Sequence, residues 1–573
     1  MMKKITPKKR RLLLWIGIPL LLLIVLGVIF LSIGVNTFLK PTIKKALSKV
    51  VVDGSDSLYT FSLGDYSVGP GGRTVTINKL EIVVDSNRYR ILKAANRLPG
   101  LIFSIKIDAL VVTGLQPWTL WRHKNIYCNE IAIANSTIII EQQQKRKGDT
   151  MASATPKTLY ESIKPDINNI NIGKINVTNS DITFKTAKRQ TNLDSWRIEK
   201  MRIQMTDVVV DSLTYADTAR ILYAGNLQTS FDNLKMKTQD GLYNYSLGKT
   251  EYDFKKRSVD IADIKLAPAI GQAEFNKRFG HAKDRFHLDI KKTSIENFNA
   301  SALLIDDQIE AASVILESPV LDVYKDKSPG KDLTNKMGTY PHQLLLKAEN
   351  SIDIDRIKIN QGRLTFTEKS AKTGLEGPFK FTNINGTITN ATNQPEVYAR
   401  ERWCKASLTA SFMGNNDMSA IFNFDLPSPD GHFTIDAGLK SLQASQVNTT
   451  FKNLAKAEME SFVLDDLQYH IEGNDNMATA DLKMKYHDMK LNVYKTDEEG
   501  EFKKKGLISL LANLIKIYPA NPMPGEQERV ARGIRNPRIV TKNLFGYAVF
   551  TLLKCVQEIA IKGKNKTLPG MGN

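Results

Sequence analysis

Between residues 50 and 500 apolar side chains recur mostly at every second position, the period of a strand with one wet and one apolar face. "IGKINVTNSDITFK" (172–185) alternates through Ile172, Ile175 and Val177, breaks at Asn179-Ser180 and resumes with Ile182 and Phe184. "RIKINQGRLTF" (356–366) does the same through Ile357 and Ile359, Gln361-Gly362, and Leu364 and Phe366. Apolar pairs flanking a short Asn/Ser or Gln/Gly break predict β-hairpins. "TVTINKLEIVV" and "FSIKIDALVV" share the period, and sustained helical periodicity is absent from most of this region. The pattern predicts a mainly β protein built on antiparallel sheet.

The pattern also repeats. "LYTFSLG" (58–64) returns as "LYNYSLG" (242–248), and "RTVTINKLEI" (73–82) as "RSVDIADIKL" (257–266), both 184 positions on. At 183, "NEIAIANSTIII" (129–140) overlies "ASVILESPVLDV" (312–323), so that Ile131, Ile133, Ile138 and Ile140 match Val314, Leu316, Leu321 and Val323. "KINVTNSDITF" (174–184) overlies "RIKINQGRLTF" at 182, and "NLQTSF" (226–231) overlies "SLTASF" (407–412) at 181. Five matches in one order, with an offset drifting by single residues, indicate tandem duplication. The segments expected are repeat one over 50–241, repeat two over 242–420 and a partial third over 421–500. Polar stretches at 142–166 and 326–350 occupy corresponding places and are long for simple loops.

The ends differ in kind. Residues 12–35 hold no charged residue over 24 positions, enough to cross a hydrocarbon core of about 30 Å. A basic tail, 1–11, precedes them with Lys8, Lys9, Arg10 and Arg11 nearest the segment. An uncleaved transmembrane signal anchor with a cytoplasmic N-terminus is expected, the bulk of the chain being exported. The basic C-terminal region, 501–573, holds two helical patterns. Leu507, Leu510, Leu511, Leu514 and Ile517 form one stripe, and 544–561 is a longer apolar run interrupted by Lys554 and Glu558. Both are expected to cap an exposed end of the sheet. Between them Arg529, Arg532, Arg535, Arg538 and Lys542 are candidate contacts for anionic headgroups or a partner.

The formal charge of +19 changes the picture only once it is located. Residues 1–49 carry 10 Lys/Arg and no acid, and 501–573 carry 13 against 4, which leaves 56 of each sign between them. Charge at two ends of a neutral body argues against a nucleic-acid groove. Catalytic patterns are incomplete. "GKT" (248–250) has Tyr243 where a phosphate loop needs glycine, "VGPGGR" (68–73) reads as a turn, and there is no GxSxG. The 7 histidines show neither HxxxH nor HxH spacing, and Cys128, Cys404 and Cys555 form no CxxC. Asp353 and Asp355 share one strand face, where solvation explains them. No enzyme activity, cofactor, metal or catalytic residue is expected.

The anchor, the recurring I-x-[IV]-x-x-[SG]-x-[IL]-x-F pattern and the block from "ASLTASFMGNNDMSAIFNFDLPSPDGHFTIDAGLKSLQASQVN" to "LKMKYHDMKLNVY" resemble the AsmA-like family of bacterial envelope proteins. The resemblance covers most of the chain and rests on pattern. It implies a single-pass inner-membrane protein with its bulk in the periplasm. It further implies an elongated repetitive β-sheet curled into an apolar groove that binds or conducts phospholipids towards the outer membrane and supports its assembly. The groove-lining candidates are Ile131, Ile133, Ile138, Ile140, Ile175, Val177, Ile182 and Phe184 in the first repeat. In the second they are Val314, Leu316, Leu321, Val323, Ile357, Ile359, Leu364 and Phe366. Acyl chains, and an envelope protein at the C-terminal end, are the partners implied. Alternation alone equally fits closed β-sandwiches with dry cores, serving as a non-catalytic scaffold that binds proteins.

Overall fold

Strands take up 58% of the described residues, as period-two patterning requires. The structure, a computed structural model, describes residues 55–143, 167–186, 194–496 and 516–562 except positions 96, 215, 216, 218, 239 and 456, and also residues 52, 160, 164 and 502–504. The 12–35 segment, its flanking Lys8, Lys9, Arg10 and Arg11, and most of the 507–517 stripe lie outside the described residues. The chain packs as two compact units, the first running to Ile264 with Asn297–Asp307 added, the second made of Lys265–Glu296 and Gln308 onward.

The first unit contains β1 (Tyr59–Leu63), β2 (Tyr66–Val68), β3 (Thr74–Val84), β4 (Leu101–Thr113), β5 (Asn125–Gln142), β6 (Asn169–Thr186), β7 (Asp194–Val210), β8 (Ala224–Phe231), β9 (Asn233–Lys237), β10 (Tyr243–Leu247), β11 (Thr250–Asp253) and the first part of β12 (Ser258–Pro268). β1 and β2 both pair with β3, then β3 with β4, and β4 with β5, all antiparallel. β5 and β6 run parallel. Antiparallel pairing resumes from β6 to β7 and from β7 to the collinear β8 and β9, which pair with β11 and β10. The expected all-antiparallel sheet is therefore corrected to a mixed one. The parallel step is possible because the long polar stretch after β5 is a crossover, not a turn.

The expected hairpins at 172–184 and 356–366 are corrected as well. β6 passes through Asn179-Ser180 as one strand, with Asn179 left-handed at φ 53°. Against β7 the register shifts between Val177/Ser180 and Ser180/Ile182, and against β5 the pairing pauses between Ala134/Thr178 and Thr137/Asp181 with its offset unchanged. This is a β-bulge, which adds one residue and bends the strand. It also explains the spacing. Val177 and Ile182 are five apart and would face opposite ways on a regular strand, but the extra residue restores their common face. Lys79, Asn135, Asn179 and Lys200, all left-handed, interrupt β3, β5, β6 and β7 along one transverse line. Asn179 Nδ2 donates to Asn135 Oδ1 across it at 2.6 Å. On the inner side the Ser136 and Ser180 hydroxyls, 4% and 2% exposed, bond to each other at 2.5 Å. Bulging at one height bends these neighbouring strands together.

α1 (Ser86–Ala94), capped by Asp85 Oδ1 accepting from Arg88 N at 2.6 Å, packs Leu92 against Leu58 and Ile102. α2 (Pro117–His123) joins β4 to β5. In the second unit α3 (Gln272–Phe279) buries Phe275, whereas α4 (Ala300–Asp306) lies in the excursion belonging to the first unit.

The second unit continues with β13 (Asp284–Glu296), β14 (Gln308–Glu317), β15 (Val320–Asp326), α5 (Pro341–Leu346), β16 (Ser351–Lys369), β17 (Glu376–Thr392), α6 (Pro395–Tyr398), β18 (Trp403–Phe412), β19 (Asn416–Asp425), β20 (Phe433–Gln443), α7 (Ala444–Ala455), β21 (Ala457–Gly473), β22 (Met477–Thr496), β23 (Phe502–Lys504), β24 (Lys516–Ile517), β25 (Val530–Pro537), α8 (Leu544–Ala560) and β26 (Ile561–Lys562). β14 and β15 both pair with β13 and both run parallel to β16. From β16 the strands meander antiparallel through β17, β18, β19, β20, β21 and β22 to β25.

Strand bounds follow the sequence offsets. β1 and β10, and β3 and β12, stand 184 apart, β4 and β13 stand 183 apart, and β7 and β17 stand 182 apart. The left-handed residues recur too. Lys79, Asn135, Asn179, Lys200 and Asp207 correspond to Asp263, Ser318, Gln361, Asn383 and Asn390. Ser318 precedes Pro319, which has no N–H to donate, so the counterpart of β5 is split into β14 and β15.

α8 is the expected C-terminal helix, and it lies over β22 and β25, with Tyr469 Oη donating to Ala548 O at 3.0 Å. The core beneath it holds Ile471, Ala480, Leu482, Tyr547 and Cys555, each at most 1% exposed. His342 of α5 is sealed into this core at 2% exposure between Tyr340 and Phe424, and neither ring nitrogen makes a hydrogen bond of good geometry. Burial pushes its pKa down to about 4, against a weaker upward pull from Asp425 and Asp475. An unfolded histidine protonates near 6.5, so the unfolded state takes up the proton first and stability is lost as pH falls from about 6.5 towards 4. The loss should approach about 3 kcal/mol at 1.36 kcal/mol per pK unit. Urea unfolding at neutral and acid pH should show His342→Phe losing less stability on acidification than the native chain. An equal loss in both would remove this histidine from the acid sensitivity.

Candidate functional site

All sixteen apolar candidates lie on one face of their unit, in ladders running across neighbouring strands. In the first unit Ile77, Leu110, Ile133, Val177 and Ile203 are direct cross-strand partners, as are Val75, Val112, Ile131, Ile175 and Met205. Ile82, Ile105, Ile138, Ile182 and Ile198 form a third ladder, and Phe103, Ile140, Phe184 and Trp196 a fourth. Phe184 and Trp196 stack with centroids 5.2 Å apart. In the second unit Val314, Ile357, Ile388, Ala406, Phe422, Ile435, Ile471 and Ala480 follow one another across eight strands. Leu316, Ile359, Gly386 and Leu408 run beside them, then Leu321, Leu364, Phe381 and Phe412, and at the margin Phe286, Val323, Phe366 and Phe379. Gly386 belongs in its ladder because Leu408 fills the space, and a Cβ there would stand 2.1 Å from Ser407 O.

The two faces differ in what covers them. In the first unit Ile131, Ile133, Ile140, Ile175, Val177 and Phe184 are 1–7% exposed and Ile138 and Ile182 half-buried. They belong to two packed clusters that meet at Ile138, the larger of which also takes in Leu115, Leu120, Ile167, Ile221 and, from α4, Ala300. No second sheet is described over this face, and these loop residues and α4 lie against it. In the second unit Val314, Leu316, Leu321, Val323, Ile357, Ile359, Leu364 and Phe366 are all half-buried, and Phe286 is 39% exposed. Along the eight-strand ladder exposure falls towards the C-terminus, reaching 5%, 0% and 1% at Ile435, Ile471 and Ala480, where α8 lies on the sheet. The second unit thus presents a largely half-buried apolar face over β14–β18, with α8 packed on the sheet at the C-terminal end. α7 flanks one margin, with Thr450 Oγ1 donating to Pro378 O at 2.7 Å. Half-buried exposure over a contiguous run of Leu, Ile, Val and Phe is unusual for a surface that stays in water.

The basic C-terminal candidates separate. Arg538 has 3% of its side chain exposed and lies 5.0 Å from both the Tyr340 and Tyr547 rings. Its guanidinium donates to Lys542 O at 2.8 Å and Lys336 O at 3.3 Å, with Asp475 at 3.9 Å. Arg529 stacks on Tyr518 at 3.8 Å and pairs with Glu526 at 3.1 Å. Lys542 is half-buried, 4.6 Å from the Phe550 ring, and burial with Lys327 and Lys325 nearby holds its ammonium below the usual lysine range. Arg532 and Arg535 are the exposed ones, on β25. Charges on a terminal strand discourage pairing with other chains.

On the wet face Asp355, Asn390, Arg400, Glu401, Trp403 and Lys405 line a shallow cleft. The three cysteines are buried and unpaired, and desolvation pushes the Cys128 thiol up to about 12, which makes it a poor nucleophile. Lys249 of "GKT" pairs with Glu251 at 2.6 Å at a strand start. Alternation reports a face and not its cover, so what sequence reasoning missed is the difference in burial between the two units. No protein-family model matches the chain, and no curated protein is significantly similar to it.

Proposed function

We propose that the second unit's trough holds the acyl chains of a phospholipid, and that the protein is a membrane-anchored envelope component of AsmA-like type that passes lipid along this face. One observation carries the reading. Six of the eight first-series residues are sealed at 1–7% exposure, whereas all eight of their second-series counterparts are only half-buried. A ladder of Leu, Ile, Val and Phe offers acyl chains contact without a charged side chain among them, at about 25 cal/mol per Å² removed from water. The apolar segment at 12–35 supports the same reading by tying the chain to a bilayer. The first unit's packed face favours a structural role for that unit.

The test is photo-crosslinking in cells with a photoreactive residue at Phe366 or at Thr365. Thr365 pairs with Asp322 and Lys380 on the opposite face. A phospholipid adduct at 366 and none at 365 is the expected result. Crosslinks at 366 only to the chain itself, or only to another protein, would reject the lipid trough and leave a scaffold that binds proteins.

A further inference from the structure

The short helix α2 exposes two tryptophans. Trp118 and Trp121 are 65% and 70% exposed, with ring centroids 5.0 Å apart. Leu120, facing the other way, is 7% exposed and is all the helix contributes to the core. Arg122 and His123 end the helix and Lys124 caps it in a left-handed conformation, all three exposed.

Strand register places more of the same chemistry at this end of the unit. Thr74 pairs with Thr113, Asn125 runs beside Asn169, and Ile170 pairs with Val210. The turn after β7 and the entry to β3 therefore share a strand end with α2. That turn carries Leu213 at 77% exposure, and Arg73 stands exposed before β3. The three most exposed large apolar side chains among the unit's described residues and three of its basic ones lie along one rim.

The second series shows that the architecture does not need them. At the 183-residue offset α4 replaces α2, with Ser301 for Trp118, Leu304 for Trp121, Asp306 for His123 and Asp307 for Lys124. Leu304 packs against the core, and the sign of charge is reversed.

We propose that this rim docks on an anionic bilayer surface, with Trp118, Trp121 and Leu213 at the headgroup boundary and Arg73, Arg122 and Lys124 towards lipid phosphates. Tryptophan favours that boundary because its ring is apolar and its N–H polar. Charge decides for lipid over an apolar protein groove, since the aromatic pair is bordered by cations and not by a neutral rim. Residue 52 enters at the Tyr59–Val84 end of the strands, opposite the rim. The 16 residues after the 12–35 segment extend at most about 55 Å, enough to pass the roughly 36 Å length of β3 and reach a bilayer at the rim. Docking rests on the membrane anchor and not on the lipid trough.

The full chain, reconstituted in vesicles of phosphatidylcholine with or without phosphatidylglycerol, would carry an environment-sensitive fluorophore on Trp121→Cys. The native thiols are buried, so labelling is selective. The probe is expected to report an apolar setting and be quenched by brominated lipid only when phosphatidylglycerol is present. Lys124→Gln or Arg122→Gln should each weaken docking about fivefold, the factor equivalent to ~1 kcal/mol per basic residue. A probe at Ser301→Cys should stay unchanged. A water-like signal at 121 in anionic vesicles overturns the proposal, as does a shift indifferent to phosphatidylglycerol and to the charge variants. In cells, a photo-crosslink from 121 to a protein and not to lipid would also overturn it. Failure of the chain to float with either vesicle would instead strike the anchor.

Discussion

Arg538→Ala should lower the unfolding free energy of the second unit by about 3–5 kcal/mol, the usual cost of removing one partner from a buried charge arrangement. Arg538 lies between two tyrosine rings contributed by separate parts of the chain, Tyr340 before α5 and Tyr547 in α8. Its donors close the Lys336 and Lys542 carbonyls. Asp475, in the β21–β22 turn, accepts from Gln343 Nε2 at 2.7 Å and lies 3.9 Å from Arg538. The alanine variant leaves that carboxylate in place without its cation and opens the space between the rings. Gly431, left-handed at φ 68°, sits so close to Gln343 that a Cβ would meet its Nε2 at 2.2 Å, so the site has no slack for a larger neighbour. Arg538→Lys keeps the charge and loses the planar stack, and should fall between. Hydrogen exchange at the α8 amides is the measurement, since it reports this unit separately. A loss under about 1 kcal/mol, the scale of exposed ion pairs, would show that the arginine is solvated in practice.

Aspartate should cost far more on the first unit's apolar face than on the second's. Ile133→Asp places a carboxylate in a site 1% exposed and lined by Leu110, Ile77, Val177 and Ile203. Lost burial and an unpaired charge together cost on the order of 5 kcal/mol or more, so the first unit should fail to fold. Phe366→Asp alters a half-buried position where water reaches the new charge. It should cost about 1–2 kcal/mol, part of a phenylalanine's burial, and leave a folded chain with impaired lipid crosslinking. Limited proteolysis and circular dichroism on both variants decide it. A Phe366→Asp chain that unfolds like Ile133→Asp would mean that the second face is a core.

How far the fold was legible in the sequence follows from these residues. Period two placed the apolar side chains on one face, because that period is local. It misassigned Asn179-Ser180 and Gln361-Gly362, since the residue types that tolerate a left-handed turn also tolerate a left-handed bulge. Five-residue spacing from Val177 to Ile182 was the available signal, as a two-residue hairpin has no need to restore the face. The parallel pairing of β5 with β6 depends on partners across a long crossover, which no local pattern reports. Cover depends on packing, so Ile133 and its counterpart Leu316 look alike in sequence and differ in exposure. The sequence grouped Arg529, Arg532, Arg535, Arg538 and Lys542 as one set of candidate headgroup or partner contacts. Strand geometry and the left-handed Gly533 instead divide them, burying Arg538 and exposing Arg532 and Arg535.

The single parallel step has a consequence of parity. Counting collinear β1 and β2 as one track, and β8 and β9 as another, the first series lays down seven tracks before β10 and β11 begin the next. Seven reversals would start the second series upside down relative to the first. One of the seven is a parallel neighbour, so only six reverse direction, an even number, and β10 sets out the same way as β1. An odd-numbered module can therefore be copied head to tail without inverting. The helix after β4 can then carry tryptophans that the helix after β13 does without, each specialised on an unchanged strand order.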